Sequence, residues 1–256
     1  MVGFAGPAVG LGHPSLPTDL ISFLRITVER TEGSSLDWNS IRTVLLDMDG
    51  TLLDLHFDDY FWTEHVPNRY AELHAMTPRQ ARDELFSRYR RIEGTLEWYC
   101  VDFWSRELQL DIPVLKREVD HLIAVHPHVV DFLKLARKPG RRVVLVTNAH
   151  GKSLDIKMDK TQLGRRLDAL ICAHDLGLPK EDVSFWDRLN GVEPFVPSST
   201  LLVDDSLPVL RSARRYGIRH LVSVLQPNSR GPIREITEFP AIRDFREIMP
   251  DGSPVA

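Results

Sequence analysis

One short segment constrains this chain more than any other: Val44-Leu45-Leu46-Asp47-Met48-Asp49-Gly50-Thr51. Its apolar half is typical of a strand buried in a sheet, and two carboxylates one residue apart follow that strand. Alternate side chains of a strand lie on one face, so Asp47 and Asp49 would share a face if the strand continued. Gly50 instead allows the chain to turn sharply. The segment therefore predicts two neighbouring acids at the mouth of a buried strand.

Two such carboxylates can divide a phosphoryl transfer between them. Asp47 can attack phosphorus and form an aspartyl-phosphate, while Asp49 gives the leaving group a proton and later takes one back. Acids this close need a countercharge, and Mg²⁺ is the natural one because it binds carboxylate and phosphate oxygens. The alternative is that the segment is only an acidic turn or a fragment of a calcium-binding loop.

Length and composition predict an ordinary soluble globular protein. The chain has 256 residues, of which 43% are hydrophobic and 27% charged, enough for a large domain or a core with a smaller one. A net charge of -4 argues against binding to a nucleic acid polymer, and no apolar run is long enough for a membrane span. Cys100 and Cys172 lie far apart without a CxxC pattern, which favours buried thiols in a reducing, cytoplasmic compartment.

Short apolar runs alternate with helical stretches along the chain. Continuous apolar runs, as opposed to alternating ones, suit strands that are buried on both faces of a parallel sheet. The pattern predicts an α/β fold with a doubly wound parallel sheet. The predicted strands are Thr43–Leu46, Arg142–Val146, Ala169–Ala173, Thr200–Val203 and His220–Leu225.

A long segment with helical texture separates the first two predicted strands. Thr77 and Gln80 form a predicted capping box with Pro78 at the first helical position. A further helix is expected after Asp111, with Pro113 in its first turn. Between them, apolar residues at helical spacing predict a buried face: Leu85, Phe86, Tyr89, Ile92, Leu96 and Tyr99.

An insertion at this position would lie over the carboxyl ends of the strands, where ligands bind in open α/β sheets. We therefore expect residues 38–54 and 126–250 to form the α/β core and residues 55–125 to form a helical cap. Residues 1–37 are expected to be a poorly ordered extension or an over-long start-site assignment. Their glycines and prolines interrupt the apolar stretch that a secretory signal needs.

Polar residues follow two other predicted strands, and a lysine leads into a predicted helix. Thr147 and Asn148 could bind a phosphate, or they could form an ordinary turn. Lys180 could neutralise that phosphate, or it could be a solvated surface lysine. Asp204 and Asp205 are costly together unless a cation lies between them and the first acid pair. One of them alone could simply cap the following helix.

Taken in order, these signals form the pattern of the haloacid dehalogenase-like hydrolases, which the chain resembles from about Trp38 to Ile248. The resemblance implies Asp47 as nucleophile and Asp49 as general acid and base. It further implies catalytic phosphate binding by Lys180 with Thr147. It also implies Mg²⁺ ligation by Asp47, by the backbone carbonyl of Asp49 and, directly or through water, by Asp204 and Asp205, with Asp205 favoured for direct contact.

The presence of Asp49 indicates which reaction to expect within this family. The dehalogenase members form an ester at carbon and need no proton donor at that position. The alkoxide leaving group of a phosphate ester does need one. The chain therefore looks like a phosphatase, whose partner is a small phosphate monoester.

A closer resemblance is to the bacterial GMP/IMP nucleotidases. It is carried by residues 45–55, 60–62, 95–100, 104, 147–150 and 179–182. The aromatic residues of the insertion could stack a purine, or most of them could fill its core. The resemblance implies Mg²⁺-dependent hydrolysis of purine nucleoside 5′-monophosphates. Additional ligand contacts are expected from Gly50, Thr51, Asn148, Ala149, His150 and Trp98.

Two other functions stay open from the sequence. The same core could belong to a sugar-phosphate phosphatase or a phosphomutase. It could also belong to a nucleotide-binding protein without catalytic activity.

Overall fold

A six-stranded parallel sheet lies at the centre of the computed structural model, which describes residues 36–250. The strands are β1 Thr43–Leu46, β2 Arg142–Thr147, β3 Ala169–Cys172, β4 Thr200–Val203, β5 His220–Val224 and β6 Ala241–Ile242. The five predicted strands are present with ends shifted by at most one residue, and the predicted α/β class is confirmed. The two-residue strand β6 was not predicted, because so short a pairing leaves no pattern in the sequence.

The order of the strands explains where the site forms. That order is β3-β2-β1-β4-β5-β6, so chain connections run in opposite directions from β1. Leu46 at the end of β1 is level with Leu145 of β2 and Val203 of β4. The residues that follow β1, β2 and β4 therefore meet at one edge of the sheet. This is the topological switch point at which open α/β sheets bind ligands.

Six helices follow β1 between His56 and Glu118, and we call this segment the helical insertion. They are α1 His56–Tyr60, α2 Val66–Leu73, α3 Pro78–Ile92, α4 Leu96–Tyr99, α5 Val101–Leu108 and α6 Ile112–Glu118. A single π-helical turn, Phe61–His65, joins α1 to α2. The boundaries predicted for core and cap stay a prediction, and residues 1–35 of the predicted extension lie outside the described residues.

The two predicted helix starts in the insertion, at α3 and at α6, are present. Thr77 N donates to Gln80 Oε1 at 3.0 Å and Gln80 N donates to Thr77 Oγ1 at 3.3 Å, which completes the capping box. Asp111 Oδ1 accepts from Val114 N at 3.0 Å at the start of α6. The predicted apolar face is interrupted, however, because the chain turns at Gly94 with φ +81° after α3 ends.

Helices cover both faces of the sheet. They are α7 Val129–Ala136, α8 Gly151–Thr161, α9 Ala173–Leu176, α10 Val183–Val192 and α11 Leu207–Tyr216. Leu45 packs with Phe185 and Trp186 of α10, whereas its neighbour Leu46 packs with Phe132 of α7 on the other face. Burial on both faces explains why the strands are apolar throughout. None of the described helices is long and apolar enough to cross a membrane.

The turn after β1 depends on Gly50. Its φ is +82°, and its N–H donates to Leu53 O at 2.7 Å. A Cβ atom at this position would lie 2.8 Å from Asp205 Cγ and 2.9 Å from Pro227 Cβ. The turn therefore needs glycine for two separate reasons: the backbone has a positive φ, and there is no room for a Cβ atom beside Asp205.

Gly140 provides a matched control because it has φ +81°, yet a Cβ atom added there would meet no heavy atom within 4 Å. We expect Gly140→Ala to lower the free energy of unfolding by about 1–2 kcal/mol through the backbone alone. Gly50→Ala should cost about 1–3 kcal/mol more, since Asp205 and Pro227 must also move. Urea denaturation of both variants measures the difference, and equal losses would contradict the close contact.

Candidate functional site

Lys180 is the central cation at the edge of the sheet. Its side chain is 2% exposed, so it is not the surface lysine that the sequence left open. Nζ donates to Asp47 Oδ1 at 2.5 Å, to Asp204 Oδ2 at 2.7 Å and to Val146 O at 3.1 Å. All three donors of the ammonium are used. Lys180 thus joins the ends of β1, β2 and β4.

Asn148 holds the segment that carries Lys180. Its Oδ1 accepts from Lys180 N at 2.9 Å, and its Nδ2 donates to Glu181 Oε2 at 2.9 Å. Tyr99 of the insertion donates to the other oxygen of Glu181 at 2.8 Å. Thr147 Oγ1 accepts from Ala149 N at 3.0 Å. These contacts fix the end of β2 relative to the lysine segment and to the insertion.

Three acids lie together beside Lys180. Asp47, Asp204 and Asp205 each offer a carboxylate oxygen, and these oxygens lie within 4.8 Å of one another. Burial raises the pKa of Asp47 to about 6, although the charge of Lys180 opposes the shift. Burial and the charges of Asp47 and Asp204 raise the pKa of Asp205 well above its ordinary value. One ammonium does not neutralise three carboxylates, so a further cation is favoured.

Asp205 is the least neutralised of the three. Its Oδ2 lies 3.8 Å from Arg234 Nη1, beyond hydrogen-bonding distance. Asp204, by contrast, accepts from Lys180 and from Ser206 N at 2.9 Å. An all-oxygen group with excess negative charge fits Mg²⁺, which takes oxygen ligands and keeps some of its waters. The residues present therefore suit the metal that the sequence predicted.

The side chain of Asp49 lies outside this acid cluster. Its Oδ1 accepts from Lys157 Nζ at 2.6 Å, and the same ammonium donates to Asp58 Oδ2 at 2.6 Å. Asp58 Oδ1 in turn accepts from Lys116 Nζ at 2.9 Å. We call these four residues the ion-pair chain. The predicted metal contact of Asp49 runs through its backbone carbonyl and stays a prediction.

The ion-pair chain contains the residues that sequence reasoning missed. The side chains of Lys157 and Lys116 are 1% and 3% exposed, respectively. Each lies on the buried stripe of its helix, since Lys116 follows Ile112 by four residues and Lys157 follows Ser153 by four. A lysine on the apolar face of a helix is the signal that could have identified them.

A cavity of about 350 Å³ lies between the edge of the sheet and the helical insertion. The structure brings most of the predicted site residues to it: Asp47, Asp49, Trp98, Thr147, Asn148, Ala149, Lys180, Asp204 and Asp205 line its wall. From the insertion, the wall also includes Trp62, Tyr99 and Lys116. The wall thus carries the charged residues of the strand ends on the sheet side, and on the insertion side it carries aromatic rings together with Asp58, Asp59 and Lys116.

Three predicted contacts do not line this cavity. Gly50 lies behind Asp205, and the Thr51 side chain is fully buried with no hydrogen-bond partner for its hydroxyl among the described residues. His150 begins α8, where its Nδ1 accepts from Lys152 N at 3.3 Å. Its Nε2 lies 3.7 Å from Asp102. Thr51 lies in the turn after β1 and His150 at a helix start, which places both side chains outside the cavity wall; the ligand contacts of all three residues stay predictions.

The aromatic residues of the insertion serve two purposes. Phe61 and Trp104 are 0% and 2% exposed and fill its core. Tyr89 meets Trp104 and Trp98 edge to face, with ring centroids 5.0 and 5.7 Å apart. Trp98 is only half-buried and lines the cavity. Some of these rings therefore fill the core of the insertion, and stacking of a purine on the others stays a prediction.

Comparison with known proteins gives matches over most of the chain. The family model described as haloacid dehalogenase-like hydrolase matches residues 41–217. The GMP/IMP nucleotidase YrfG of Escherichia coli is 36% identical over 216 residues, which cover 84% of this chain and 97% of that protein. Phosphoglycolate phosphatase 1 of Pseudomonas aeruginosa is 26% identical over 227 residues, covering 82% and 79% of the two chains.

A solved structure shows the same fold. The HAD phosphatase of Thermococcus onnurineus matches with a TM-score of 0.66 and 22% identity, covering 81% of this chain and 95% of that one.

The charge of Asp205 should make the metal-free protein less stable at high pH. Its folded pKa is raised, so the penalty is present above that pKa and disappears as pH falls through it toward the ordinary 3.8. In chelator, we expect Asp205→Asn to raise the free energy of unfolding by at least about 1 kcal/mol at about pH 8, with the gain vanishing by about pH 4. Urea denaturation at each pH measures the change.

Asp187→Asn is the control, because Asp187 is exposed on α10 and its substitution removes the same charge as Asp205→Asn. It should leave the stability nearly unchanged at every pH. An Asp205 variant that is less stable than the wild type at high pH would contradict this account of the acid cluster.

Proposed function

The chain belongs to the haloacid dehalogenase-like hydrolases and is a phosphoric monoester hydrolase, and we propose that its substrates are purine nucleoside 5′-monophosphates, GMP and IMP among them. The observation that carries this proposal is that one cavity is lined by Lys180 and the acid cluster from the sheet and by aromatic rings from the insertion. Lys180, together with a metal held by the acid cluster, would suit a phosphate, and the half-buried indole rings of the insertion suit a base. The identity to a GMP/IMP nucleotidase supports the same substrates.

Cavity size also favours a nucleotide over a very small substrate. A volume of about 350 Å³ is within the range of pockets that enclose a small organic ligand. Phosphoglycolate, the substrate named for a second relative, has no group that would use the rings of Trp62 and Trp98. A base stacked on these rings would use them, since base stacking on aromatic side chains is worth about 1–3 kcal/mol.

The proposed reaction has two steps. A carboxylate oxygen of Asp47 forms a bond to phosphorus as the bond to the 5′-oxygen breaks, and Asp49 donates its proton to that oxygen. The nucleoside leaves, and a water molecule then attacks the phosphorus of the aspartyl-phosphate while Asp49 takes a proton from that water. Phosphate departs and the Asp47 carboxylate is restored. Lys180 stabilises negative charge on Asp47 and on the phosphate oxygens throughout.

Mg²⁺ would be held by Asp47, Asp204, Asp205 and the backbone carbonyl of Asp49. When bound, it would supply positive charge to the phosphate oxygens and to the surrounding carboxylates. This role accounts for three acids beside a single lysine.

Asp47→Asn should abolish phosphate release, because the amide cannot act as the nucleophile. We expect a loss of at least about 1,000-fold in kcat for GMP and IMP, whereas Asp187→Asn should retain wild-type turnover. Phosphate release measures both. The panel should include phosphoglycolate and hexose phosphates. Faster hydrolysis of these by the wild type would contradict the proposed substrates, and retained turnover by the Asp47 variant would contradict the mechanism.

Removing divalent cations with EDTA should stop phosphate release, and added Mg²⁺ should restore it. Because a ligand of the folded state stabilises it, Mg²⁺ should also raise the midpoint of thermal unfolding. The rise should be clearly smaller in Asp205→Asn, which lacks one ligand charge. Scanning calorimetry with and without Mg²⁺ gives a readout that does not depend on activity, and equal rises in both proteins would speak against this metal site.

A further inference from the structure

Lys116 is a buried cation in the part of the cavity formed by the helical insertion. Its side chain is 3% exposed, and Nζ donates to Asp58 Oδ1 at 2.9 Å. The rest of the ammonium is surrounded by aromatic rings. Nζ lies 4.4 Å from the centre of the Phe61 ring, 4.9 Å from that of Phe57 and 5.5 Å from that of Trp62.

The three buried lysines of the site differ in how many acceptors they have. An ammonium carries three N–H donors. Lys180 has three oxygen acceptors and Lys157 has two carboxylates. Within residues 36–250, Lys116 has one oxygen acceptor, Asp58. Ring faces attract a cation but replace a hydrogen-bond acceptor poorly, and a buried donor without an acceptor is costly. Lys116 therefore has donors available for a ligand.

The position of Lys116 indicates which part of a ligand it meets. Asp49, Lys157, Asp58 and Lys116 are joined in that order by three ion pairs, and Asp49 is the proposed proton donor at the phosphate end. Lys116 is thus displaced from the phosphate toward the rings of the insertion, next to Trp62. A nucleotide whose phosphate meets Lys180 would present its base to this region.

Purines differ in what they offer to such a donor. Guanine and hypoxanthine carry an oxygen at C6 beside the acceptor N7, whereas adenine carries an amino group there, which is itself a donor. We propose that Lys116 determines specificity by donating a hydrogen bond to O6 of a 6-oxopurine, which selects GMP and IMP against AMP. This inference rests on the proposed function, because it assumes that a purine nucleotide occupies the cavity.

The test compares kcat/KM for GMP, AMP and p-nitrophenyl phosphate. In the wild type we expect GMP to exceed AMP by about 10- to 100-fold, the discrimination typical of one good base contact. In Lys116→Met the ratio should fall to near one, mainly through a higher KM for GMP. Turnover of p-nitrophenyl phosphate, which has no purine, measures any loss that reaches Asp49 through Asp58 and Lys157, so only a fall in the ratio of GMP to AMP counts as lost base recognition.

Two further variants separate specificity from loss of structure. Lys116→Gln keeps a polar side chain, but its amide can turn either an N–H or an oxygen toward the base, so the ratio should also fall to near one. Lys160 lies on α8 and forms an exposed ion pair with Asp120. Lys160→Met removes the same charge as Lys116→Met, and it should keep the wild-type ratio of GMP to AMP. If the methionine variant does not fold, the glutamine variant decides.

Each outcome has one meaning. An unchanged ratio of GMP to AMP in a folded Lys116 variant would overturn the inference and leave the proposed function intact. An equal fall for all three substrates would also overturn it, because Lys116 would then act only by supporting Asp58. A wild-type enzyme that hydrolyses p-nitrophenyl phosphate but no purine nucleotide would overturn the proposed function and the inference together.

Discussion

The contact of one ammonium with two carboxylates organises this structure. Lys180 draws Asp47 and Asp204 together at the point where the first and fourth strands end, and its third donor holds the end of the second strand. Two buried carboxylates without this cation would be strongly destabilising. The apolar strands can therefore end in charged residues without losing their buried position. The negative charge of the site is only partly neutralised by Lys180, because Asp205 adds a third acid. The site therefore suits a divalent metal.

The features predicted correctly from the sequence are those whose information is local or follows from topology. Each strand and its terminal residue are adjacent in the chain, and the Thr77 capping box spans four residues. The rule that parallel strands end at the same edge then brings Asp47, Thr147 and Asp204 together. The family resemblance, carried by the order of these motifs, was confirmed by the match over residues 41–217.

The features that were missed depend on contacts between distant segments. In the sequence, Lys116 and Lys157 fall on the buried stripe of their helices, but only the packed structure shows that they share Asp58. Thr51 and His150 are the opposite case, because they are adjacent in sequence to other predicted site residues but do not line the cavity; their ligand contacts stay predictions. Their backbone directs them elsewhere, since Thr51 lies in a tight turn and His150 starts a helix. Proximity along the chain did not give the direction of a side chain.

The contact between Asp58 and Lys157 has a consequence for access to the cavity. Asp58 belongs to the first helix of the insertion and Lys157 to a helix of the core, so any movement of the insertion away from the sheet separates this pair. Separation would expose to water the Lys157 ammonium, which is only 1% exposed while the pair is joined. Dissolved ions then screen the parted charges but hardly affect the joined ones. Higher ionic strength is therefore expected to favour movement of the insertion away from the sheet. A purely apolar contact between the insertion and the core would not respond in this way.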